Sequence, residues 1–70
     1  MKYRIIQVTA AQSGRKHLVA EYQRDGEGWE TVRLSGLAYE FTLYEEAMTA
    51  LKDVKEGKDP FRRKVGEGEL

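Results

Sequence analysis

The sequence has no cysteine, one histidine, one proline and no long apolar run. Without cysteine no disulfide forms, and a structural zinc site lacks its usual thiolate and imidazole set, so no metal is expected. The same absence fits a reducing cytoplasm, the expected compartment. No stretch approaches the roughly 20 consecutive apolar residues of a membrane-spanning helix, and residues 1–4 lead into only Ile5 and Ile6, too little for a secretory leader. An excess of one charge is also missing, because 12 Lys and Arg balance 12 Asp and Glu. A protein that wraps DNA is clearly basic and a nucleic-acid mimic clearly acidic, so neither class fits. Neutrality removes the repulsion that keeps small proteins apart, which leaves self-association open.

What is present suits one small domain of 70 residues. A chain this short buries only about 60% of its unfolded surface, so stability rests on one apolar core with no covalent staple. Residues 39–51, YEFTLYEEAMTAL, carry the clearest pattern: a strand that turns directly into an amphipathic helix. Thr42 and Glu45 have the spacing of a capping box. Tyr44, Ala47, Met48, Leu51 and Val54 form the core-facing stripe. Glu45 and Glu46 suit the positive helix end, Lys52 and Lys55 the negative one. Gly57 suits the position just past the helix and Pro60 forbids continuation, which predicts a helix over about residues 43–56.

Before the helix, aromatic and β-branched residues predict strands over 3–10, 16–24 and 29–34, with a short fourth one carrying Leu37, Tyr39 and Phe41. Turn residues separate them at Ser13-Gly14, Asp25-Gly26-Glu27-Gly28 and Ser35-Gly36. The predicted fold is α+β: an antiparallel three- to four-stranded β-meander with one C-terminal α-helix packed on one face. It spans residues 1–57. The tail 58–70 is basic, then acidic and glycine-rich, and is expected to be flexible. The expected core is Ile6, Val8, Leu18, Ala20, Tyr22, Val32, Leu34, Phe41, Ala47, Met48, Leu51 and Val54. That choice turns Tyr3, Ile5, Val19 and Trp29 to the opposite sheet face, beside His17, Thr31 and Arg33. Such an apolar and aromatic patch marks an interaction surface, unless Phe61 and Val65 fold over it or the register slips by one residue.

Catalytic chemistry has little to stand on. His17 is the only imidazole, and Ser13 and Ser35 both fall in turns, so no nucleophile, base and orienting acid assemble from the pattern. Adjacent Glu45 and Glu46 do not face one another on a helix. The pair Glu67 and Glu69 lies in a glycine-rich tail too loose for a good cation site. Gly26-Glu27-Gly28 lacks the third glycine and the following helix of a dinucleotide fingerprint. No catalytic residue and no cofactor are expected, and the chain is read as a binding protein and not an enzyme.

The residues expected to contact a partner are Tyr3, Trp29, Arg33, Phe61, Arg62, Arg63 and Lys64. Aromatics supply buried area and arginines directional pairing. The leading reading is a stoichiometric inhibitor that occupies a functional surface of a larger protein or nucleoprotein complex. The alternative is a small nucleic-acid-binding regulator, with the basic tail gripping phosphates and aromatics stacking on bases. Arg15, Lys16, Arg4 and Lys2 would add cations. Against it, no RNA-binding aromatic motif is present, and Glu21, Glu27, Glu30 and Glu40 lie along the same sheet.

The segment Phe41-Thr42-Leu43-Tyr44-Glu45-Glu46-Ala47, in so short a cysteine-free chain, resembles the helix start of small phage and mobile-element accessory proteins, among them anti-CRISPR proteins and phage inhibitors of host RNA polymerase. The resemblance covers the architecture of residues 3–56 and carries no functional residue over. It implies an inhibitor that works by occupying a surface. The neutral charge departs from the strongly acidic members that mimic DNA.

Overall fold

A computed structural model describes residues 1–60 and 66–70. Strands β1 (Lys2–Thr9), β2 (Lys16–Gln23) and β3 (Trp29–Thr31) form an antiparallel sheet in the order β1-β2-β3. The β1–β2 connection closes where Ala10 N–H donates to the Arg15 carbonyl at 2.8 Å. Gly14 supplies its left-handed corner at φ 69°. The expected Asp25-Gly26 turn forms, with Gly26 at φ 78°.

The second edge of β2 is shared by two separate pieces of chain. Its C-terminal half pairs with β3, from Glu21 opposite Thr31 to Gln23 opposite Trp29. Val32 N–H then donates to the Ala20 carbonyl at 2.9 Å, and Leu18 and Phe41 exchange both backbone bonds at 2.8 Å each. The chain between Val32 and Phe41 is far longer than the step from Ala20 to Leu18 that it spans, so the excess loops out. It folds into a second two-stranded sheet, β4 (Arg33–Leu34) against β5 (Leu37–Ala38), closed at its base by Tyr39 N–H to the Val32 carbonyl at 3.0 Å. Ser35 at φ 53° and Gly36 at φ 83° give the consecutive left-handed pair of a tight I′ hairpin. The predicted strand over 29–34 is therefore cut at Val32, and of the predicted fourth strand only Phe41 reaches the main sheet.

Helix α1 (Tyr44–Lys55) follows and covers one face. The Thr42 capping box does not form: the N-cap is Leu43, extended at φ −112° and ψ 141°, with no side-chain cap bond. Pairing of Phe41 with Leu18 holds the chain in the sheet, so the first helical acceptor is the Leu43 carbonyl, reached by Ala47 N–H at 3.3 Å. Glu45 and Glu46 occupy the first turn and Lys52 and Lys55 the last, as expected for the dipole. The C-terminus closes as a Schellman motif. Gly57, at φ 77°, donates its N–H to the Val54 carbonyl at 3.1 Å, and Lys58 donates to the Asp53 carbonyl at 2.8 Å. Arg24 Nη2 also donates to the Val54 carbonyl, at 3.2 Å, placing a cation at the negative helix end.

The core is Ala20, Val32, Phe41, Ala47, Ala50, Leu51 and Val54, with Ile5, Leu18, Tyr22, Tyr39 and Met48 packed against it. Tyr39 and Phe41 meet edge to face with ring centroids 4.7 Å apart. The expected core thus holds on β2 and the helix and is inverted on β1. Ile5 lies opposite Ala20 and Ile6 opposite Val19. Ile6 and Val8 are consequently exposed, at 38% and 37%, on the sheet face away from the helix. Leu34 is exposed as well, carried out by the β4–β5 hairpin, and Tyr44 lies outside the buried helix stripe, where Ala50 takes part instead. Strand β1 is apolar on both faces, so alternation could not select one. The turn closed by Ala10 and Arg15 selects it.

Candidate interaction surface

The open face of the sheet is built from alternate residues of three strands. β1 contributes Arg4, Ile6 and Val8, β2 contributes His17, Val19 and Glu21, and β3 contributes Trp29 and Thr31. Trp29 stays 39% exposed. The guanidinium carbon of Arg4 stands 4.0 Å from its ring centroid. Arg4 Nε also donates to Glu21 Oε1 at 2.6 Å, and the Thr31 hydroxyl donates to Glu21 Oε2 at 3.4 Å. A sheet with one covered face ordinarily presents polar residues on the other. Here a polar group built around Arg4 and Glu21 braces Trp29, and aliphatic Ile6, Val8 and Val19 continue beside it.

The expected contact residues divide among three places. Trp29 lies on the open face. Arg33 lies in β4, donates from Nη1 to the Gly36 carbonyl at 3.1 Å, and lines a cleft with Trp29, Glu30, Val54 and Pro60 along the β3 edge. Tyr3 lies elsewhere: it is opposite Tyr22 on the helix side, and its hydroxyl hydrogen-bonds the Tyr44 phenol, which raises the Tyr44 pKa. Phe61, Arg62, Arg63 and Lys64 lie outside the described residues. Sequence reasoning missed Arg4, Ile6 and Val8 as members of the open face. It placed the Ser35-Gly36 turn but missed that the hairpin swings outward there, leaving Leu37 75% exposed opposite Leu34. The signal for β1 was its doubled apolar pattern. For the hairpin it was Ser35-Gly36 between two leucines.

Tyr22, His17 and the two serines each have a neighbour or a place in the fold that accounts for them. The Tyr22 hydroxyl donates to Glu30 Oε2 at 2.8 Å. Burial first, and this bond second, push the Tyr22 phenol above its usual range. His17 Nε2 stands 4.0 Å from Glu40 Oε1. Ser13 Oγ accepts the Arg15 N–H in the first turn, and Ser35 forms the hairpin corner. Among the described residues, no three His, Asp or Glu side chains converge as a metal-binding group, and no helix is long and apolar enough to cross a membrane.

Comparison with known proteins finds no matching family, no matching curated relative and no matching solved structure.

Proposed function

We propose that this chain is a non-enzymatic binding protein that acts by occupying a functional surface of a larger protein or nucleoprotein complex, with the open sheet face as its contact surface and Trp29 as the anchor. The observation that supports this reading is the composition of that face: an exposed Trp29 braced by Arg4, with exposed Ile6 and Val8 farther along the same face. Tryptophan and arginine dominate binding hot spots, and an aromatic held in place before binding loses less entropy on contact. The cleft beside it brings Arg33 within reach of the same partner. Inhibition by occupancy, the mode implied by the resemblance to phage accessory proteins, needs nothing beyond such a surface. The cell interior is the compartment in which that target would be met.

The nucleic-acid alternative draws on other residues. On the open face Arg4 is already neutralised by Glu21, and Arg33 is committed to Gly36, so the phosphate-gripping cations would have to come from the basic run 62–64 and from Arg15, Lys16 and Lys2. The two readings separate by salt. A protein interface centred on Trp29 weakens modestly between about 50 and 200 mM salt and is lost with Trp29→Ala. A phosphate-gripping site weakens steeply over that range and is lost with Arg62→Ala and Arg63→Ala.

A further inference from the structure

Strand β1 is an edge strand, and among the described residues nothing pairs with its outer side. The direction of its backbone groups follows from β2. Leu18 exchanges its bonds with Phe41, and the Ala20 carbonyl receives Val32 N–H, so these residues point their backbone groups away from β1. His17, Val19 and Glu21 therefore serve β1, through Val8, Ile6 and Arg4. Tyr3, Ile5, Gln7 and Thr9 are left aiming N–H and C=O outward. Natural proteins blunt such an edge with proline, a bulge or charge. β1 has no proline, pairs residue for residue with β2 without a bulge, and is uncharged from Ile5 to Thr9.

We propose that a second copy of this chain fills this edge, its β1 running antiparallel to the first about a two-fold axis through Ile6 and perpendicular to the sheet. In that register Ile5 lies opposite Gln7 of the second copy, and Tyr3 opposite Thr9. Every outward amide and carbonyl from Tyr3 to Thr9 then has a partner. Centring the pairing on Ile5 would leave Thr9 to find Met1 instead, and a shift by one residue from either centre would set inward groups against outward ones. The charge pattern selects the direction. β1 carries Lys2 and Arg4 and no acid, so parallel pairing would align like charges, which destabilises a sheet. Antiparallel pairing about Ile6 sends the cations to opposite ends, Arg4 against Val8 and Lys2 against Ala10. Both helices stay on one side, and on the other side Ile6 and Val8 of the two copies merge into one apolar seam. The zero net charge raises no long-range barrier to this association.

The chain has no native cysteine, so a single introduced one reports this geometry in the purified protein. Across the axis the two Ile6 Cβ atoms of a non-hydrogen-bonded pair stand about 4.5–5.5 Å apart, close to disulfide reach. The two Val8 positions lie roughly 13 Å apart along the strands. Under mild oxidant Ile6→Cys is expected to become a covalent dimer at least ten times faster than Val8→Cys. Sedimentation velocity of the unmodified chain is expected to show a monomer–dimer equilibrium between roughly 1 μM and 1 mM. Ile6→Lys, which opposes two cations on the axis, should shift it to monomer. Gln7→Pro, which removes only an outward N–H, should do the same with far-UV circular dichroism unchanged. A monomer at every concentration, or Val8→Cys crosslinking as fast as Ile6→Cys, overturns the proposal. Neither readout involves a foreign partner, so both are independent of binding through Trp29.

Discussion

Arg4 and Trp29 come from opposite edges of a three-stranded sheet and meet across β2, the guanidinium carbon 4.0 Å from the indole centroid. Glu21 on the strand between them holds the same guanidinium through a 2.6 Å hydrogen bond. One arginine thus ties all three strands together on the face that the helix does not cover. A cation–π contact at an exposed site contributes about 0.5–1 kcal/mol, and an exposed ion pair about 0–1 kcal/mol. Arg4→Ala is expected to lower unfolding stability by about 1 kcal/mol and to change the emission of the only tryptophan. Chemical denaturation followed by that fluorescence measures both. An unchanged midpoint and spectrum would show that the contact is not held in solution.

Gly57 and Thr42 test how the helix ends. Gly57→Ala places a Cβ at φ 77° in the Schellman closure and should cost about 1–2 kcal/mol. Thr42→Ala should change stability by less than about 0.5 kcal/mol, because the helix has no side-chain cap. Urea unfolding of the two variants gives the ranking. The reverse order would restore a Thr42 cap.

Phe41 joins two functions of the fold, as the backbone bridge from residues 39–41 to β2 and as a buried core ring. Phe41→Ala is expected to cost about 3–5 kcal/mol through lost burial and the cavity left behind. In so small a domain that approaches the whole folding free energy. Near-ultraviolet circular dichroism should lose its native signal while Leu37→Ala, at the exposed hairpin tip, keeps it.

Alkaline pH offers a separate test. The Tyr22 phenol is raised above its ordinary value of 10.0, chiefly by burial and then by Glu30. The folded state therefore favours the protonated phenol more than the unfolded state does. Its contribution to stability is fully present below about pH 10 and is lost as pH rises through the folded pKa. Denaturant midpoints measured from pH 8 to 11 should fall less steeply for Tyr22→Phe than for the unmodified chain. Some fall should remain, since the Tyr44 phenol is also raised, through its hydrogen bond to Tyr3.

The sequence made the layer architecture legible because its strongest signals are local. The helix stripe from Ala47 to Val54, the Gly57 stop and the Asp25-Gly26 turn each depend on a few adjacent residues. The alternation of Leu18, Ala20 and Tyr22 identified the inner face of β2 for the same reason. β1 was not legible: Tyr3 and Ile5 on one face and Ile6 and Val8 on the other are equally apolar, and the geometry of the turn that follows at residues 10–15 broke the tie. The β4–β5 excursion was hidden too, because it arises from the mismatch between two anchors on β2 and the chain that joins them. Of the candidate surface, Trp29 was visible as the lone indole after a glycine turn. Arg4 was not, because its role depends on register with Glu21. The inversion of β1 took Tyr3 off the face that carries Trp29 and put Arg4 beside the indole, with Ile6 and Val8 farther along.

The central claim is that the open face around Trp29 holds a protein partner. The direct measurement is capture from nuclease-treated cell lysate by the tagged chain, run beside Trp29→Ala and Leu37→Ala of matched circular dichroism. The expected result is one stoichiometric partner that survives nuclease, is retained by Leu37→Ala and is lost with Trp29→Ala. Capture that vanishes with nuclease, or that Trp29→Ala leaves intact, would contradict the claim.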